Sequence, residues 1–92
     1  MPYIKQHKRD AIEKHSMRPE NAGELNYSIT RMCHSYIKNH IFCYATLNEV
    51  VGVLECAKAE LLRTVVGSYE NKKRAENGPV SELDDDSHER MR

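Results

Sequence analysis

The sequence lacks a net charge, a long apolar run, a glycine-rich phosphate loop and any C-x-x-C pair. Each absence closes off a class of function. Fourteen basic and fourteen acidic side chains cancel, so no global field draws the chain to nucleic acid or to an anionic membrane, and a charged partner has to be met by a local patch. No apolar stretch approaches the roughly 20 residues needed to span a bilayer. The opening residues, MPYIKQHKRD, are charged where a secretory leader would be apolar, and the three cysteines, Cys33, Cys43 and Cys56, are an odd number. Together these predict a reducing cytoplasm and free thiols. Asn26-Tyr27-Ser28 matches a glycosylation acceptor, which carries no weight without export.

Catalytic chemistry is equally sparse. The cysteines have histidines near them only in sequence, whereas a thiolate nucleophile needs an oriented base. Glu49, Glu55 and Glu60 fall on different faces of one predicted helix, so they do not form an acid–base pair. Cys33, His34, His40 and Cys43 are the right types for zinc, but adjacent Cys33 and His34 point about 100° apart on a helix. Buried free thiols account for these cysteines better than a metal does. The expectation is a protein without catalytic residues, metal or cofactor.

What is present is helical. At 92 residues the chain is one small domain with a modest share of its surface to bury. A first helix is predicted from Tyr3 to Met17, ended by Arg18-Pro19-Glu20-Asn21 because the residue before proline is pushed from helical angles. Asn21 then caps a second helix, Ala22 to Lys38, with Glu24 three places on to reach back. An apolar elbow, His40 to Ala45, leads to Thr46-Leu47-Asn48-Glu49, a second capping box before an apolar run.

The third helix, Leu47 to Glu76, would be about 45 Å long at 1.5 Å per residue. A compact globule of this chain length is only roughly 30 Å across. The helix therefore bends at Gly67, protrudes into solvent, or lies against a second chain. Lys72-Lys73-Arg74 at its end suits the helix macrodipole. The fold expected is all-α, a three-helix domain over 1–78 with a long third helix, assembled as a homo-oligomer, followed by a disordered acidic tail over 79–92.

Two helix faces raise functional questions. On helix two, Leu25, Ile29, Met32 and Tyr36 follow the period of a buried face, while Tyr27, Arg31, His34 and Lys38 repeat it half a turn away. The second row sets an aromatic plane, a guanidinium, an imidazole and an ammonium in line, the groups that stack on a base and hold phosphate. A solvated helix face with one tyrosine lying flat is the plainer reading. On helix three, the main stripe is Leu47, Val50, Leu54, Ala57, Leu61 and Val65. Gly52, Cys56 and Ala59 line the opposite side, with Val51, Leu62 and Val66 on one flank. Glycine inside a helix costs roughly 1 kcal/mol against alanine, which suggests close packing at Gly52. The predicted oligomer interface is Gly52, Cys56, Ala59, Leu62 and Val66; the competing arrangement has helix one covering that face within the monomer.

The combination of MPYI, GELNYSIT, LNEVVGVLECAKAELLRTVV and YENKKRAENG resembles a family of small uncharacterised bacteriophage and prophage proteins carrying GELNY and NEVVGVLE motifs. The likeness covers Met1 to Gly78. Such proteins tend to read PYE after helix three where this chain has Ser68-Tyr69-Glu70, and the Asp84-Asp85-Asp86 tail looks like an individual extension. The resemblance implies a phage accessory protein in the host bacterial cytoplasm. By analogy with small helical phage proteins that trap cyclic nucleotide signals between subunits, the expected function is non-enzymatic sequestration of an anionic nucleotide-type immune signal at Tyr27, Arg31, His34 and Lys38. The alternatives are a helical adaptor or inhibitor that binds a host or phage protein and, third, a small DNA-associated regulator.

Overall fold

Asn21 opens the second helix as its spacing to Glu24 predicts. In the computed structural model, which describes residues 1–85, the Asn21 side chain accepts from the Glu24 N–H at 2.9 Å. The Glu24 carboxylate in turn accepts from Asn21 Nδ2 at 2.9 Å and from the Glu20 N–H at 3.1 Å. Backbone donors left without partners at a helix start are thereby satisfied. Helix α2 spans Ala22–Lys38, the predicted bounds.

Helix α1 is shorter than expected, Gln6–His15. It ends at Ser16, which adopts left-handed angles (φ 53°), and the Met17 N–H then donates to the Ala11 carbonyl at 3.0 Å. Ahead of α1, the chain crosses the first turn of α2 at Gly23. A β-carbon there would meet Ile4 Cγ2 at 3.4 Å and the Met1 carbonyl at 3.5 Å, ordinary contact distances, so the crossing does not itself require the glycine of the GELNY motif.

The third helical stretch begins at Tyr44 rather than Leu47. Cys43 takes the role expected of Thr46: its carbonyl accepts from the Leu47 N–H at 3.1 Å, and its thiol lies 3.6 Å from Thr46 Oγ1. Thr46 is instead buried inside the first turn, and Glu49 accepts from the Tyr36 hydroxyl at 3.4 Å. Helix α3 runs Tyr44–Leu61, a π-type segment covers Leu62–Val66, and α4 runs Gly67–Asn77. The irregularity thus falls just before the glycine at which a bend was one option. Thr64 Oγ1 donates to the Glu60 carbonyl at 2.8 Å, competing for the acceptor that its own N–H would use in an α-helix. A β-carbon on Gly67 would sit 3.0 Å from the Leu62 carbonyl oxygen.

The architecture is all-α with a long C-terminal helical stretch, and the described residues contain no strand. The chain divides into two compact units, Met1–Val51 and Gly52–Arg92. In the first, α1 packs on α2. In the second, α4 is followed by a short 3-10 turn, Glu82–Asp84, closed by a reciprocal capping box. The Asp84 carboxylate accepts from the Ser81 N–H at 2.9 Å and the Val80 N–H at 3.1 Å, and these bonds hold its pKa below the ordinary aspartate value. Composition hides this order in the stretch expected to be a disordered tail; the remainder of that tail, 86–92, lies outside the described residues.

The expected core face of α2 needs correction. Leu25, Ile29, Met32 and Tyr36 are all exposed, Met32 to 75%, whereas Tyr27 of the opposite row is buried at 8% and Glu24 at 4%. Helix α1 is short and polar, with Ala11 and Ile12 only half-buried, so it docks through polar groups. The polar row of α2 supplies their partners. Among the described residues Tyr27 is the one buried apolar side chain.

Candidate functional site

The row Tyr27, Arg31, His34, Lys38 divides in two. Tyr27 lies against α1, where its hydroxyl donates to Glu13 Oε2 and the Arg9 guanidinium carbon stands 5.5 Å from its ring centroid. Arg31 Nε donates to Glu13 Oε1 at 2.8 Å. One carboxylate therefore binds both residues, and Arg9 is fixed in turn by its bond to the Ile4 carbonyl at 2.9 Å. The Glu13 carboxyl is held below the ordinary glutamate value, first by the Tyr27 hydroxyl and then by Arg31. The Tyr27 phenol is pushed up, first by its bond to Glu13 and then by burial. This half of the row joins two helices, and its tyrosine face is not open for stacking. Sequence reasoning missed Glu13, because nothing local distinguishes it from Asp10 one turn earlier.

The other half faces open space. His34 and Lys38, with Ile37, His40, Phe42 and Leu47, line a concavity of about 510 Å³ in the first unit. His40 closes the end of α2: its ring stacks on Tyr36 at 4.0 Å between centroids, and its Nδ1 lies 2.7 Å from the Tyr36 carbonyl. Phe42, 79% exposed, provides an aromatic plane at the rim. The elbow signal at His40 to Ala45 marked this region, although not as part of a site. The arrangement can offer one ammonium, two imidazoles and an aromatic ring to an anionic ring-bearing molecule.

Cys33, Cys43 and Cys56 are free thiols but not the buried ones expected, Cys33 being half-buried and Cys43 and Cys56 exposed. Cys43, exposed at the start of α3, has its pKa lowered chiefly by the Thr46 N–H, as expected where helix donors point at a thiol. Among the described residues no three His, Cys, Asp or Glu side chains gather as a metal would require. The predicted interface residues Gly52, Cys56, Ala59, Leu62 and Val66 are all exposed, and a β-carbon on Gly52 would meet nothing within 4 Å.

Residues 1–80 match a domain of unknown function, DUF6899. The chain belongs to the DUF6899 family. No curated protein and no solved structure matches it. The match covers both α2 with its Asn21–Glu24 cap and the whole of α3 and α4. No helix among the described residues is long and apolar enough to cross a membrane.

Proposed function

We propose that this DUF6899 chain is a non-enzymatic association module that works by binding protein through its exposed helix faces, copies of itself first. The observation that supports this is the near absence of a private core: Tyr27 is the one buried apolar residue among those described. Meanwhile Leu25, Ile29, Met32 and Tyr36 lie open in the first unit, and Leu54, Leu61, Val65 and Tyr69 lie open in the second. Ordering a backbone costs about 1–2 kcal/mol per residue, and so little burial does not offset that in a lone chain. Association supplies the missing burial. On this reading the protein is a helical adaptor or inhibitor of phage or prophage origin. Light scattering at micromolar concentration should give a particle mass that is a multiple of 10.7 kDa. A folded, monodisperse monomer overturns the proposal.

The concavity in the first unit favours a second reading, sequestration of an anionic nucleotide-type signal. Here Lys38, His34 and His40 would face phosphate, and Phe42 would take the stacking role for which Tyr27 is not free. A panel of cyclic di- and trinucleotides should then raise the melting temperature of the wild type but not of Lys38→Ala, because ligand bound to the folded state stabilises it by mass action. Recovery of the ligand intact separates sequestration from catalysis. No shift with any nucleotide eliminates this reading and leaves the association module alone.

A further inference from the structure

The π-type segment at Leu62–Val66 resets the face presented by the residues that follow it. In an unbroken α-helix each residue advances about 100°. A stripe through Leu54, Ala57 and Leu61 would then continue to Thr64 and Ser68, both polar, while Val65 and Tyr69 would drift about 40° and 80° away from it. A π turn holds about one extra residue, which sets later positions back by one. Leu54, Leu61, Val65 and Tyr69 then fall on one line with Leu62 and Val66 beside them. These six side chains are each 37–64% exposed.

We propose that this stripe pairs with the same stripe of a second copy, antiparallel, with the two-fold axis at Leu61–Leu62. The proposal rests on the association reading above and names the partner and geometry of one face. Two properties of the second unit select that occupant. The stripe is nearly symmetric about the midpoint between Leu61 and Leu62: a reversed copy sets Leu54 against Tyr69, Ala57 against Val66 and Leu61 against Leu62, while Val65 meets Lys58, whose methylene stem can lie along it. Such self-complementarity is what an isologous contact requires. Charge is also divided about the same point. Residues 52–61 carry two acidic side chains, Glu55 and Glu60, against Lys58, whereas residues 62–77 carry four basic against two acidic. Antiparallel pairing sets the acidic half of one copy beside the basic half of the other, and parallel pairing sets like beside like.

Gly67 holds this register. Its missing β-carbon leaves room for the Leu62 carbonyl, which an alanine would press at 3.0 Å. Gly67→Ala should therefore close the π turn, return Thr64 and Ser68 to the stripe and weaken association at least tenfold, with helicity by circular dichroism unchanged or raised. Gly52→Leu lies on the opposite side, where an added side chain meets nothing, and should leave association intact.

Disulfide trapping in the full chain gives the direct test, with bridges located by peptide mapping so that the native thiols do not confuse the result. Leu61→Cys should cross-link to its own copy, since the two positions lie about 1.5 Å apart along the axis. Leu54→Cys, about 22 Å from its counterpart on the same rise, should not cross-link alone but should do so when mixed with Tyr69→Cys. A Leu54→Cys protein that bridges to itself overturns the antiparallel geometry while leaving association standing. Dissociation by Gly52→Leu but not by Gly67→Ala moves the interface to the small-residue face and overturns the stripe. A wild type that is monomeric overturns both this proposal and the reading it rests on.

Discussion

Tyr27 is positioned as much by its hydroxyl as by its ring, because a buried tyrosine needs a partner for its polar end. That partner, Glu13, also binds Arg31, so three residues from two helices share one acceptor group. Tyr27→Phe should retain the packing and lose one hydrogen bond, costing about 1 kcal/mol in urea unfolding. The Glu13 carboxyl is depressed in the folded state, so its contribution is present above the ordinary glutamate value and is lost as pH falls through the folded one. The Tyr27 phenol is raised, so its contribution is present below the ordinary tyrosine value and is lost as pH rises through the folded one. Stability measured against pH should therefore decline at both extremes on account of this pair, and Glu13→Gln should flatten the acid limb. An acid limb identical to wild type in Glu13→Gln would show that other carboxylates govern it. Periodicity alone could not locate this cluster: Tyr27 stood out as amphipathic, but its acceptor is fourteen residues upstream. Ile29 illustrates the converse, a residue of ideal core spacing that is 43% exposed because the helix that docks on α2 has little apolar surface to offer.

Helix boundaries were legible where the chemistry that sets them is local and of a familiar kind. Asn21 and Glu24 fix the start of α2 by bonds within four residues, and Asn21→Ala should cost about 1 kcal/mol of thermal stability. Thr46 and Glu49 present the same spacing without the same outcome, since a cysteine leads into α3 and Tyr36 engages the glutamate. Thr46→Ala should accordingly behave as a packing change, leaving the helix start at Tyr44 in amide exchange. The π-type segment was hidden because a step from Leu61 to Val65 is an ordinary i to i+4 interval; only Gly67 marked the place. At the end of α1, Ser16 holds left-handed angles that cost an L-residue roughly 1–2 kcal/mol. Ser16→Gly relieves this and gives back roughly 0.5–1 kcal/mol in unfolded-state freedom, so it should raise the melting temperature slightly or leave it unchanged. A clear drop would mean that the serine side chain has a partner in solution.

For the molecule as a whole, helix count and class follow from sequence because each helix encodes its own period, but the location of the core does not, because apolar stripes identify faces to be buried without identifying what buries them. Here the stripes of α2 and of the α3–α4 stretch are exposed, and a chain with no net charge meets little self-repulsion on association. If folding and association are coupled, stability depends on protein concentration. Raising the concentration a hundredfold adds about 2.7 kcal/mol of mass-action stabilisation per dimer. Shared between two chains of this size, that should raise the melting temperature by on the order of 5 °C, since 1 kcal/mol moves a domain of 60–100 residues by about 4–8 °C. Unfolding followed by circular dichroism between 1 and 100 µM measures this directly, with high salt as a control: if apolar contact dominates, the concentration slope should survive screening of the paired charges. A slope that vanishes in salt would assign the assembly to charge pairing, and a melting temperature flat across the full range would mean that the chain folds alone with its apolar faces in water.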